Sequence, residues 1–335
     1  MRLYYLGKPA DGFGWGVCNT NLSAALAKLC DLVVCTDEKR KDYESPALIP
    51  IGNHQMEPVR RFRAPLRLGY TFFESPLPDN IRDKARWFDW IFCGSTWCES
   101  RLRLVGVEHC STVIQGVDLE RFTAQPWPER KGFRVFSGGK YEFRKAQDIV
   151  AVTMKYMLRD YSDAVLMNQW HNPWPATMHS MSRSTLIKNW KEPLAGLDLS
   201  RVISIPATPN EKMPSIYSEA DIGFFPNRCE GGTNLPMMEL MACGRPVIAT
   251  VHTGHSDMLN AGVYPLTQGS FDAAGWWHND VSDCLVQLEK AYKDREEVKR
   301  RGNLCRAHIE QFTWERCAKA ILARVEQLHS SRQRS

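Results

Sequence analysis

The stretch Pro226–Thr250 reads PNRCEGGTNLPMMELMACGRPVIAT. A turn of small residues, Gly231-Gly232-Thr233-Asn234, feeds a short amphipathic helix. A Gly-Arg-Pro turn then leads into the apolar run Val247–Thr250. With the apolar Ile222–Phe225 before it, the order is strand, helix, strand, the repeating unit of a parallel sheet. The same residues suggest chemistry. The first amides of a helix point outward unpaired, and its dipole favours negative charge there. Glu230 and Glu239 flank the turn, and ionised carboxylates only accept hydrogen bonds, which suits sugar hydroxyls. Phosphate plus polyol points to a sugar nucleotide.

Strand and helix signals alternate outward from this stretch. In the first half, Arg2–Leu6, Leu32–Thr36, Leu68–Phe73, Trp90–Gly94 and Cys110–Ile114 read as strands. The spacing of Leu22, Ala25, Leu26 and Leu29 predicts a helix over Asn21–Leu29, after a Gly12-x-Gly14-x-Gly16 loop. Ser95 is the expected N-cap of a helix through Leu104, with Glu99 in its first turn. Gly116–Lys131 carries Pro126, Pro128 and many charges, and reads as a linker. A second series starts at Arg134–Ser137 and continues through Ala164–Met167, Val202–Ile205, Ile222–Phe225 and Val247–Ala249. Val281–Arg301 is expected as one long helix and Trp314–Leu328 as another, with Ser330–Ser335 frayed. The expected fold is α/β, with two Rossmann-like doubly wound parallel sheets. The boundaries are 1–117 for the first domain, 118–131 for the linker and 132–313 for the second, with helix 314–330 packing back on the first. Ligands of such folds bind at the carboxyl ends of the strands, here in a cleft between the domains.

Composition sets limits. The chain has 335 residues, 43% hydrophobic and 24% charged, with a mean hydropathy of −0.38. No apolar run approaches the ~18 residues of a membrane span. The N-terminal apolar run is too short for a signal peptide, so a cytoplasmic protein is expected. The 11 cysteines are scattered, with no C-x-x-C pair, which argues for reduced buried thiols over disulfides or zinc. No D-x-D motif appears, and neither metal nor cofactor is expected. The net charge of +5 is mild. Its one cluster, Arg60, Arg61, Arg63 and Arg67, is either a solvated loop or a surface for an anionic acceptor.

Phe136–Asp148 reads FSGGKYEFRKAQD. A strand ends at two glycines that permit close backbone approach, and Lys140, Arg144 and Lys145 supply charge for a diphosphate. This segment resembles the V-G-R-L-x-x-x-K-G segment of the retaining GT-B glycosyltransferases of family-4 type (glycosyl transferases group 1). Lys140 falls on the family's Arg and Lys145 on its Lys, while Ala146 replaces its Gly, a change that matters less at a helix start. The resemblance extends to VIQGVDLERF at Val113–Phe122, to SIYSEADI at Ser215–Ile222 and to the opening stretch. There it covers the E-x7-E region and the following A-C-G-x-P-V-I, although eight residues, not seven, separate Glu230 from Glu239. The extra residue most simply sits in the turn before the helix. Glu239 then keeps its place, and the shift falls on Glu230.

The resemblance implies a GT-B glycosyltransferase that moves a sugar from a nucleoside diphosphate to an acceptor hydroxyl with retention. Lys140 and Lys145 would hold the diphosphate beside Gly139. Glu230 would accept from the sugar hydroxyls and Glu239 from the ribose. Amides of Thr233, Asn234 and Leu235 would cap the distal phosphate, with Pro236 suited to the first turn. Gly14 and Gly16 would touch donor phosphate or acceptor. Glu74, placed where the family often has a histidine, would act near the reacting sugar or the acceptor. His171, Arg61 and Arg63 are acceptor-side candidates; Trp170 and Trp174 would line a pocket, and His252 and His255 flank Gly254. The partners implied are a nucleotide-sugar donor and an acceptor glycan, lipid-linked sugar or small molecule, with a nucleic-acid acceptor also open. Two other classes fit parts of the chain. The N-terminal glycines with Asp37 suit an NAD-dependent oxidoreductase, and a non-catalytic sugar-nucleotide or glycan-binding module would tolerate Lys140 and the displaced Glu230.

Overall fold

The computed structural model describes residues 1–10, 14–35, 37, 39–52, 55–57, 61–171 and 194–333. Gly12 of the glycine loop, Arg60 and Trp174 lie outside these residues. The chain divides into two compact units. One comprises Met1–Asp118, Gly231–Thr233 and Gln311–Ser335, the other Leu119–Glu230 and Asn234–Glu310.

The first unit is built in chain order from β1 (Arg2–Tyr5), α1 (Gly14–Ala27), β2 (Asp31–Val34), β3 (Ala47–Ile51), β4 (Arg67–Thr71), α2 (Ile81–Ala85), β5 (Trp90–Cys93), α3 (Thr96–Leu104) and β6 (Cys110–Thr112). The strands form a parallel sheet in the order β2-β1-β3-β4-β5-β6. Strand order reverses beside β1, the crevice where doubly wound sheets bind ligands. β3 is absent from the sequence expectation because Pro50 interrupts its apolar run, and proline is normally kept out of central strands. Here its missing N–H falls on the side facing β1. The last bond there is from the Leu6 amide to the Leu48 carbonyl, 2.9 Å, and β1 has ended. Helix α1 begins at Gly14, earlier than the apolar spacing suggested. Ser95 caps α3 as expected, accepting from the Cys98 amide at 3.1 Å.

The C-terminal helix Trp314–Gln333 packs on α1 and continues past Leu328. Arg332, near its end, pairs with Asp89 at 2.5 Å, so residues expected to fray are helical. Gly231 also belongs to this unit. The Ser95 hydroxyl donates to its carbonyl at 2.6 Å, with Cys98 Sγ 3.0 Å away. A Cβ on Gly231 would stand 2.5 Å from the Phe73 carbonyl oxygen and 2.6 Å from the Phe73 amide nitrogen. Backbone cannot swing aside as a flexible side chain can. Gly231→Ala is therefore expected to cost about 1–3 kcal/mol as an overpacking change, read as a lowered Tm; an unchanged Tm would contradict this contact.

The second unit contains β7 (Phe133–Lys140), α4 (Gln147–Asp160), β8 (Ala164–His171), β9 (Val202–Ser204), α5 (Met213–Ser218), β10 (Ile222–Phe225), α6 (Leu235–Ala242), β11 (Val247–Thr250), β12 (Tyr264–Leu266), β13 (Gly269–Phe271), β14 (Trp277–Asn279), α7 (Val281–Lys293) and α8 (Arg295–Ile309). Its main sheet is parallel, in the order β12-β11-β10-β7-β8-β9, and β13 and β14 form a separate antiparallel pair. β10 and β11 are buried along their whole length, so they read as continuous apolar runs rather than alternating ones. The single helix expected over Val281–Arg301 is two helices. Asp294 leaves helical geometry (φ −126°, ψ 85°) and its side chain accepts from the Glu297 amide, starting a new helix. Arg245 of the Gly-Arg-Pro turn is wholly buried. It donates to the carbonyls of Ala220, Ser218, Gln125 and Pro126 at 2.8–3.0 Å. That fork ties the segment after Phe122 to the second unit. Among the described residues no helix is long and apolar enough to cross a membrane.

Candidate active site

In the second unit the strand order reverses between β7 and β10, so the crevice for a ligand lies beyond the carboxyl ends of these two strands. β7 runs out at Lys140 into a tight turn, Phe143–Lys145, before α4. β10 runs out at Phe225 toward Glu230. The two loops meet there. Lys145 Nζ lies 2.5 Å from Glu230 Oε1, and Arg144 Nη1 lies 3.0 Å from Glu230 Oε2. The Asn227 carboxamide also donates to Glu230. Glu142 is the hub on the other side, 2.8 Å from Arg144 Nη2 and 3.0 Å from Lys140 Nζ. Three cations thus face two carboxylates at the switch point, an excess of one positive charge. Lys140 is the most exposed member, at 29% of its side chain, against 8% for Lys145 and 6% for Glu230.

The carboxylates are held ionised. Burial pushes Glu230 upward, but Lys145 and Arg144 outweigh it and hold its pKa at about 2. Burial likewise opposes ionisation of Glu142, and Arg144, Lys140 and Lys145 bring it to about 2. Burial lowers the Lys145 pKa in spite of Glu230. Both glutamates titrate well below their ordinary 4.5. Their stabilising contribution is therefore complete above that value and lost as pH falls toward 2. For Glu230 alone the shift corresponds to about 3 kcal/mol. Stability to urea should drop steeply from pH 4.5 to pH 2.5, and Glu230→Gln should flatten that drop. An equally steep fall in the variant would show that Glu230 is not responsible.

Backbone geometry supports the cluster. Gly139 has φ +126°, and Lys145 Cε lies 3.7 Å from where its Cβ would be. Ala146 is left-handed at φ 56°, a conformation that favours glycine. The Gly-to-Ala departure therefore bears directly on the backbone, contrary to the expectation that it matters little; its buried methyl packs in the core. Glu230 is gripped by the turn Thr253–Met258 after β11. Its amide donates to Thr253 Oγ1 at 3.0 Å, and its carbonyl accepts from the Gly254 amide at 2.8 Å.

Helix α6 starts at Leu235, with Pro236 in its first turn. Asn234 occupies the N-cap position in left-handed backbone and makes no side-chain cap. Thr233, just before it, is fully buried and groups with the first unit. Glu239, one turn into the helix, is buried. It accepts from Asn210 Nδ2 at 2.7 Å and from the Tyr217 hydroxyl at 2.8 Å. Arg121 donates to Asn210 Oδ1 at 2.7 Å, extending the chain to the end of the VIQGVDLERF segment.

The other candidates fall in different places. His171 ends β8 opposite Lys140 in register, so it sits beside the cationic loop of the second unit. Burial first, then Lys140, lowers its pKa. In the first unit Gly14 and Gly16 lie in the first turn of α1, not in a loop; Gly14 faces open space and Gly16 lies against the Ala10 carbonyl. Glu74 is half-buried, three residues past the end of β4. Arg61 is exposed. Arg63 spends Nε and Nη2 on Asp42, at 2.6 and 3.1 Å, because the two residues form an isolated bridge. Its charge is largely answered within the protein. His252 packs against Trp277 with tilted rings, the centroids 4.0 Å apart. Among the described residues no group of His, Cys, Asp and Glu is arranged to hold a metal ion.

Sequence reasoning missed Glu142, Asn210, Tyr217 and the pairing of His255. Glu142 sits between three basic positions, a pattern that could have flagged it. The His255 imidazole is wholly buried, and burial drives its pKa to about 4 even though Glu230 favours the charged form. Its Nε2 lies 3.2 Å from Asn234 Nδ2.

Residues 155–278 match the family described as glycosyl transferases group 1. A D-inositol 3-phosphate glycosyltransferase of Nocardia farcinica is 30% identical over 122 residues, 36% of this chain and 25% of that protein. The matched stretch thus spans about a quarter of the length of the curated relatives. Among solved structures, sucrose-phosphate synthase from Thermosynechococcus elongatus superposes with a TM-score of 0.71 at 16% identity, covering 98% of this chain and 99% of that one. Anabaena HepE in complex with UDP and glucose gives a TM-score of 0.64 at 11% identity, covering 97% and 99%. The two parallel sheets with their helices and these likenesses make the fold GT-B, and residues 155–278 are similar in sequence to the glycosyl transferases group 1.

Proposed function

We propose that the protein transfers a sugar from a nucleoside-diphosphate sugar to an acceptor hydroxyl, with retention of anomeric configuration and without a metal ion. The observation that carries this reading is the buried Arg144–Lys145–Glu230 cluster at the switch point of the second sheet. Its surplus positive charge suits a diphosphate, and helix α6, which starts five residues past Glu230, offers amides for the distal phosphate. As the bond from the sugar to the diphosphate breaks, Lys145, Arg144 and Lys140 would take up the charge left on the phosphate. Glu230 is held anionic and oriented, so its role is to accept from sugar hydroxyls. Retention follows from same-face attack, in which the acceptor oxygen bonds to the sugar carbon and the departing diphosphate takes the acceptor proton. Glu239 would meet the ribose.

The nucleotide held by the Anabaena neighbour makes UDP the first base to try. The acceptor is a hydroxyl on a glycan, lipid-linked sugar or small molecule. All 11 cysteines are free thiols, which accords with a reducing cytoplasm. A thermal-shift screen of nucleotide sugars tests the donor, since a ligand at 100 times its Kd stabilises by about 2.7 kcal/mol. No shift with any nucleoside diphosphate would refute the reading. Undiminished transfer in excess EDTA is expected, and a loss restored by magnesium would overturn metal independence.

A further inference from the structure

We infer that His255 is a positioning residue that holds the Asn234 carboxamide away from the first turn of α6, leaving that turn open to the distal phosphate of the donor. The inference rests on the donor site proposed above. An asparagine at an N-cap ordinarily sits in extended backbone, and its side-chain oxygen accepts from the amide two or three positions on. Two positions on is Pro236, which has no amide hydrogen, so the usual target would be the Met237 amide. Asn234 departs on both counts. It is left-handed (φ 64°, ψ 88°) and its side chain makes no cap. The carboxamide turns instead to His255, with Nδ2 3.2 Å from Nε2.

That bond requires an unprotonated Nε2, so the imidazole carries its proton on Nδ1. His255 is wholly buried and Asn234 is 5% exposed. Asn234 Oδ1 and His255 Nδ1 are both buried, and neither has a hydrogen-bond partner among the described residues. The fold thus forgoes an ordinary cap and leaves two buried polar atoms unmatched at one helix end. Both omissions cost stability, and both are explained if a ligand completes the site. The latch is also tied to the cationic cluster. The turn Thr253–Met258 that carries His255 holds the Glu230 backbone through Thr253 Oγ1 and the Gly254 amide. One short turn therefore sets both the sugar-side carboxylate and the open helix end.

The test uses the full chain and UDP, with affinity measured by calorimetry. His255→Ala releases Asn234 to relax into extended backbone and cap α6. UDP affinity is expected to fall roughly five- to tenfold, the factor set by competition with a typical cap. Adding Asn234→Gly removes the carboxamide and suits the left-handed backbone, so the double variant is expected to recover most of the loss. His255→Gln, whose side-chain oxygen also accepts from Asn234 Nδ2, is expected to bind more tightly than His255→Ala and keeps the question open to measurement if the alanine variant does not fold. Unchanged affinity in His255→Ala, a double variant as weak as the single, or a glutamine variant that binds UDP five- to tenfold more weakly than the native chain overturns the latch. A native chain that binds neither UDP nor any other nucleoside diphosphate overturns the donor-site reading instead.

Discussion

Lys145→Ala is expected to lower turnover about 10²–10³-fold, the loss typical of removing one preorganised group that stabilises developing negative charge. The residue is buried, 2.5 Å from Glu230, at the switch point where a donor diphosphate would lie. The substitution also strands a carboxylate. Glu230 would retain Arg144 and Asn227 but lose its strongest counter-charge. Breaking a buried ion pair from one side costs about 3–5 kcal/mol, so the variant should melt earlier as well as turn over more slowly. The two effects can be separated. Lys145→Ala with Glu230→Gln removes the unpaired charge and should recover much of the stability while turnover stays low. Native-rate sugar transfer by folded Lys145→Ala would remove Lys145 from the diphosphate site.

The elements legible in the sequence are those whose signal is local. Ile222–Phe225 is found to the residue because four apolar residues stand between turn formers, and Ser95 because a cap is a one-residue device. The elements missed depend on what lies elsewhere in the fold. Pro50 is tolerated in β3 because β1 stops short of it, a fact about a strand more than forty residues away. The break at Asp294 is invisible to apolar periodicity because both flanking helices share a charged face, and the cap that creates it is a single carboxylate. The early start of α1 escapes because its first turn is glycine-rich.

The site divides in the same way. Lys145 and Glu230 could be singled out by motif, since each lies in the loop after a strand with glycines close by in sequence. Their pairing could not, because 85 residues separate them and only the parallel order of β7 and β10 brings them together. Glu142 was legible as a charge but not as a hub. Its role arises because Lys140 and Arg144 turn toward it, neutralising one cation that the sequence assigned wholly to the ligand. The arginine cluster near Arg63 shows the converse. Four basic residues in eight positions suggest an anion surface, yet Arg63 answers Asp42 and Arg67 answers Asp89.

Glu239 carries the second large expectation. The sequence marks it as the safer of the two glutamates, and the structure shows a buried carboxylate already accepting from Asn210 and Tyr217. Burial first, and then Glu239, keeps the Tyr217 hydroxyl protonated, so both neighbours are donors and need an acceptor between them. Glu239→Ala would leave two buried donors without one, at about 1–3 kcal/mol each, a marked loss of stability whatever the ligand. Glu239→Gln is the sharper probe, because it keeps the shape and one acceptor oxygen. A carboxylate offers more acceptor sites than an amide oxygen, so it can serve a ribose diol beside its protein donors where glutamine cannot. If so, Glu239→Gln should weaken UDP binding about 10- to 100-fold, the worth of hydrogen bonds to a charged group. Binding of inorganic pyrophosphate, which has no ribose, should hardly change. Equal losses for UDP and pyrophosphate, moving together with Tm, would make Glu239 a fastener of Asn210 and Tyr217 and leave the ribose to another residue.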